Sequence, residues 1–111
     1  MGQYHKVYNV TKKQFLHAHR MDAGLKLMEQ VGFYKSPSSA LFLLLANSNG
    51  RGGGDASEHP LIGTWAGDRI VVQGDYAEAG DPGFISDEKL GKYLDISAAA
   101  MEMLHHVFKE D

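Results

Sequence analysis

The sequence predicts an α+β fold, a single domain over 1–111 in which a mostly antiparallel sheet packs against helices. Three observations carry that reading. Residues 4–10 and 14–19 alternate with a period of two, as strands do. Residues 40–46 form an apolar run that follows a Ser-Pro helix start. A second alternating stretch, 61–76, folds about a Gly-Asp pair suited to a tight turn.

Residues 4–10 put Tyr4, Lys6, Tyr8 and Val10 on one side and His5, Val7 and Asn9 on the other, with β-favouring types throughout. After the polar Thr11-Lys12-Lys13 turn, residues 14–19 return as a second strand with Phe15, His17 and His19 on one face. Asp22 is placed to cap a helix over 23–31, Gly32 to end it, and Leu25, Met28 and Val31 to form its buried stripe. Ser36-Pro37 starts the next helix, which runs to about residue 47. That helix is apolar all round, so it is expected to be buried on most sides.

The 61–76 hairpin turns on Gly67-Asp68, so Trp65 faces Ile70, Gly63 faces Val72 and Leu61 faces Gly74. This register gathers Leu61, Trp65, Ile70 and Val72 on one apolar face, and a one-residue slip would scatter them. An acidic loop at 77–82 leads to a short helix at 86–94. A last helix starts at Ser97, with Ile96 and Met101 as a hydrophobic staple and Met101, Leu104, Val107 and Phe108 as its stripe. The expected order is ββααββα.

Composition narrows the function classes. Hydrophobic residues make up 43% of the chain and charged ones 23%, enough for a core and against disorder. A net charge of −3 offers no basic footprint, which argues against nucleic acid as a partner. No cysteine is present, which removes disulfides, thiolate metal sites and cysteine nucleophiles together and fits a cytoplasmic protein. The longest apolar run is too short to span a bilayer, so no membrane partner is expected.

Four groups of residues could carry chemistry. Asn49, Arg51, Gly52, Gly53 and Asp55 lie in a glycine-rich loop whose amides could form a nest for an anion, with Arg51 as a bidentate partner. The loop lacks the Gly-Lys-Ser/Thr ending of a phosphate-binding loop, and a solvated linker explains it equally simply. Trp65, Asp68 and Arg69 at the hairpin tip could stack on and anchor a ligand, while the register alone accounts for Trp65 as core. His17 and His19 share a strand face and could chelate a metal if Asp22, His59 or Asp75 supplied a third ligand. Asp75, Glu78 and Asp81 depart from the calcium-loop pattern and read as a solvated acidic loop. No nucleophile elbow occurs, and the serines at 36, 38 and 39 suit helix capping.

Several stretches together resemble an uncharacterised group of short bacterial and phage proteins. They are residues 7–13, Leu16-His17-Ala18-His19, Gly24-Leu25-Lys26-Leu27, the Arg51-to-Asp55 loop, Trp65-Ala66-Gly67-Asp68-Arg69-Ile70 with Gly74-Asp75-Tyr76, and Asp95-Ile96-Ser97. The resemblance implies a microbial or viral cytoplasmic protein and carries over no activity. The resulting expectation is a non-enzymatic binding protein, an accessory or inhibitor of the anti-defence kind, that meets an anionic small molecule or a partner protein without a cofactor. A small metal-dependent enzyme using His17 and His19 is the alternative, and a structural or assembly subunit is a third. A homodimer would cover the apolar central helix.

Overall fold

The computed structural model describes residues 3–33, 35–50 and 56–108. Its sheet has four strands: β1 (His5–Asn9), β2 (Gln14–Leu16), β3 (Ile70–Gly74) and β4 (Leu94–Asp95), in the spatial order β3-β1-β2-β4. β1 pairs antiparallel with both neighbours, so Val7 lies between Leu16 and Val72. Only β4 runs parallel, with Leu94 beside Gln14 and Asp95 beside Phe15. Among the described residues three helices complete the α+β fold: α1 (Pro37–Leu45), α2 (Asp87–Leu90) and α3 (Ser97–Val107).

The period-two pattern of β1 divides the molecule into two faces. Val7 and Leu16 point to the core, where α1 and α3 meet them through Ala40, Leu44, Ala100, Met103 and Leu104. Trp65 fills the same core with no exposed surface and donates its indole N–H to Gln14 Oε1 at 2.7 Å. Lys6, Tyr8 and Phe15 take the opposite face, which the chain from Phe84 to Tyr93 partly covers.

The expected α+β class and the largely antiparallel sheet hold; several elements differ. The first arm of the 61–76 hairpin is not a strand. Residues 60–67 coil through successive turns, with Thr64 N–H donating to Leu61 O and Ala66 N–H to Gly63 O. The physical reason lies at the end of α1, whose last carbonyls can still accept hydrogen bonds, Leu43 O holding only a 3.3 Å bond from the cap residue Ala46. Gly63 N–H donates to Leu43 O at 3.0 Å and Trp65 N–H to Leu44 O at 2.9 Å. Gly63 sits at φ +83°, and a Cβ there would lie 2.7 Å from Ala46 O. With that arm bound to α1, β3 takes β1 as its partner instead. Trp65 still reaches the core side, by a route that strand register does not describe.

The expected helix over 23–31 is likewise replaced. Residues 25–26 run extended beside the start of β1, with His5 N–H donating to Leu25 O at 2.8 Å and Tyr4 bridging to Lys26. A 3-10 turn, Leu27–Gln30, follows, and the buried Gln30 donates to His5 O and Leu25 O. Asp22, at φ 57°, closes the preceding 3-10 turn in the left-handed conformation and does not cap a following helix. Met28 and Val31, expected in a buried stripe, are exposed.

Smaller corrections follow the same logic. The second strand stops at Leu16 because His17 N–H is taken by Ser97 Oγ at 2.6 Å, and a 3-10 turn, Ala18–Met21, begins. The helix expected at 86–94 is one turn, after which Leu94 joins the sheet. α1 starts at Pro37 behind the Ser36 cap as expected, yet only Pro37, Ala40 and Leu44 are buried along it, and Phe42 is 84% exposed. α3 starts at Ser97 as expected.

Candidate functional site

The sheet face away from the core is incompletely filled. A cleft of about 510 Å³ opens there, lined by Lys6 and Tyr8 of β1, Gln73 of β3, His17 just beyond β2, and the segment carrying Phe84, Ser86, Asp87 and Leu90. Tyr4, Leu25 and Asp75 close its other side. This size suits a small organic ligand.

Local bonding builds the walls. Lys6 and Gln73 are register partners across β1 and β3, so both side chains rise from the same floor. Gln73 then grips Ile85 twice: its Nε2 donates to Ile85 O at 2.9 Å and its Oε1 accepts from Ile85 N–H at 2.8 Å. That clamp holds the Phe84–Ser86 wall over the sheet. Asp75 Oδ1 accepts from Tyr4 N–H at 3.0 Å, which fixes the far rim.

The electrostatics are mixed across the cleft. Lys6 Nζ lies 5.7 Å from the centre of the Phe15 ring and forms no ion pair among the described residues. Burial pushes the Tyr8 hydroxyl above its ordinary range, with Asp87 and then Tyr93 adding to the effect, so Tyr8 stays protonated as a donor. Burial lowers the His17 imidazole, and the Lys6 charge lowers it further, so the ring is neutral at pH 7. His17 Nδ1 is buried and has no hydrogen-bond partner among the described residues. A cation at Lys6, a neutral imidazole and a phenol donor thus share one cleft with the Asp87 carboxylate and the aromatic rims of Tyr4 and Phe84.

Of the residues singled out from the sequence, His17 and Asp75 line the cleft and the others fall elsewhere. Arg51, Gly52, Gly53 and Asp55 lie outside the described residues. Asn49 bonds both the N–H and the C=O of Ala56 at 2.9 Å, which ties together the two ends of that loop. Trp65 is wholly inside the core and offers no surface for stacking. Asp68 accepts from the buried Asn9 at 2.9 Å and from Lys12 at 2.7 Å, bonds that lower its carboxyl, Asn9 first, and fasten the 67–69 turn to the β1–β2 turn. Arg69 is held by its backbone, whose N–H donates to Thr11 Oγ1, and its side chain is exposed. The His17 and His19 rings stack with centres 5.9 Å apart, and the described residues bring no third His, Asp or Glu to them. Asp81 accepts from Glu78 N–H at 2.8 Å within its own loop.

Lys6, Tyr8 and Gln73 were not singled out from the sequence as site residues. The available signal was Lys6, a cation alternating with Tyr4 and Tyr8 on one strand face.

Comparisons with protein-family models, with curated proteins and with solved structures find no match. Among the described residues no helix is long and apolar enough to cross a membrane.

Proposed function

We propose that this chain is a small cytoplasmic binding protein whose cleft between β1, β3 and the Phe84–Leu90 segment receives a small organic ligand with an anionic group. The observation that carries the reading is Lys6, an ammonium unpaired by any described carboxylate on the floor of the one cleft that also presents Tyr8, His17 and Asp87. The ligand's carboxylate or phosphate meets Lys6, its flat apolar part lies against Tyr4 and Phe84, and a donor at its other end meets Asp87. The clamped wall supports this, since binding is tighter where the site is held in shape beforehand.

Calorimetry with three probes tests the reading: L-phenylalanine, 3-phenylpropionate and phenethylamine. The two carboxylates bind and the amine lacking one does not. Lys6→Ala weakens carboxylate binding at least tenfold, roughly the 1.4 kcal/mol or more expected of a charge-assisted contact, with an unchanged melting temperature. Equal binding by wild type and Lys6→Ala removes the cleft from the site.

A second reading is favoured by one observation, the two-bond closure of Asn49 onto Ala56. It places the anion on the glycine loop with Arg51, and Arg51→Ala then causes the loss that Lys6→Ala does not.

A further inference from the structure

β2 ends at Leu16, but the chain stays extended through His17, at φ −106° and ψ 112°. Val7 faces Leu16 and Tyr8 faces Phe15 across β1 and β2, so the next pair along is Lys6 and His17. Phe15 O accepts from Ile96 N–H and His17 N–H donates to Ser97 Oγ, so these backbone groups point away from β1. Lys6 and His17 are therefore a pair without mutual backbone bonds, the kind whose side chains stand closest, with about 4.5–5.5 Å between Cβ atoms. On the other side of Lys6 stands Gln73, its partner in β3. The three form one row across the cleft floor. Ile85 engages the Gln73 amide, which leaves Lys6 and His17 as the two groups of the row that a ligand meets.

The ring of His17 is oriented for this. Nδ1 is buried and has no partner among the described residues, so Nε2 is the nitrogen that faces a ligand. A buried N–H without an acceptor is rarer and costlier than a buried lone pair without a donor. The neutral ring therefore carries its proton on Nε2. We infer that His17 is the second residue that holds the ligand's anionic group: its Nε2–H donates to the anion beside the Lys6 ammonium, and the imidazole takes up a proton as the anion enters.

The charges around the ring set when it takes that proton. Lys6 of β1 faces it, Arg20 and His19 lie on the following 3-10 turn, and Asp95 of β4 is the nearby acid. Asp95 is already paired, with Arg20 Nη1 at 3.1 Å and with Ser97 N–H at 2.9 Å. Asp75 and Asp87 are the acids that line the cleft itself. Without ligand, burial and then the Lys6 ammonium keep the ring neutral. An anion between Lys6 and His17 offsets that ammonium and favours the imidazolium. Binding then strengthens as the pH falls through about 6, where a carboxylate ligand is still ionised.

This role rests on the anion binding proposed above for Lys6, and titration calorimetry with 3-phenylpropionate separates the two. At about pH 6, just below the free imidazole value, titrations in two buffers of different ionisation enthalpy count the protons taken up. The wild type takes up part of a proton per ligand and binds more tightly there than at about pH 7.5. His17→Phe keeps an aromatic ring beside His19 but has no N–H. It binds about fivefold more weakly, the loss of one hydrogen bond, and takes up no proton. His17→Gln restores an N–H donor and most of the affinity, still without proton uptake. Wild-type binding without uptake, or His17→Phe binding as tightly as the wild type, overturns the role of His17 and leaves Lys6 as the anion's partner. No binding by the wild type overturns both.

Discussion

Residue by residue, the side-chain amides of two glutamines and two asparagines hold together parts of this chain that helices and strands do not join. Gln73 grips Ile85, Asn49 grips Ala56, Gln30 reaches His5 O and Leu25 O, and Asn9 joins Asp68 to Lys12 N–H. Each satisfies backbone or carboxylate groups that would otherwise lose hydrogen bonds on folding. Gln73→Ala should therefore free the cleft wall, costing about 1–3 kcal/mol and speeding hydrogen exchange at the Ile85 amide before that of the β1 amides. His17 makes stability depend on pH. Folding lowers its proton affinity, so below about pH 6.5 the unfolded chain binds a proton that the folded chain resists. Stability is then lost as the pH falls from about 6.5 towards the lower folded value. Urea midpoints at about pH 7.5 and 5.5, chosen to bracket the free imidazole, should differ more for the wild type than for His17→Gln. Such roles leave little trace in a sequence, because a glutamine that clamps and one that is merely solvated read alike.

At the scale of elements, what was legible depended on whether local signals met a tertiary competitor. β1, the Ser36-Pro37 start of α1 and the Ser97 start of α3 follow from local chemistry, and each stands where the pattern puts it. Residues 61–66 alternate like a strand, but the Leu43 and Leu44 carbonyls at the end of α1 bind the Gly63 and Trp65 amides. Residues 23–31 have helical spacing, yet Leu25 is held against β1 and only a 3-10 turn remains. Both misreadings have one cause: a long-range backbone bond outweighs a weak periodicity. The α1 junction gives this a test. Gly63→Ala meets positive φ and the Ala46 carbonyl together, so it should lower stability by about 1–3 kcal/mol, measured by urea denaturation. A neutral substitution would show that the 60–67 segment does not depend on that close approach.

For the molecule as a whole, the sheet separates two unlike surfaces. One side carries the hydrophobic core with α1, α3 and Trp65, and the other carries the polar cleft. The radius of gyration, 14.3 Å, slightly exceeds the roughly 13 Å typical of this length, in keeping with a sheet only partly covered on that second side. The α+β class was legible because composition and period agree on it. The cleft was not, because it needs β1, β3 and the Phe84–Leu90 segment brought together by pairings between residues far apart in the chain. The proposed binding mode brings a ligand's anionic group into this cleft at Lys6. Amide chemical-shift mapping during a titration with 3-phenylpropionate tests it most directly. Shifts are expected to concentrate at Lys6, Tyr8, His17, Gln73 and Ser86, with none of them in Lys6→Ala. Shifts confined to the residues flanking the glycine loop, Asn49 and Ala56, or no shift at all, would contradict it.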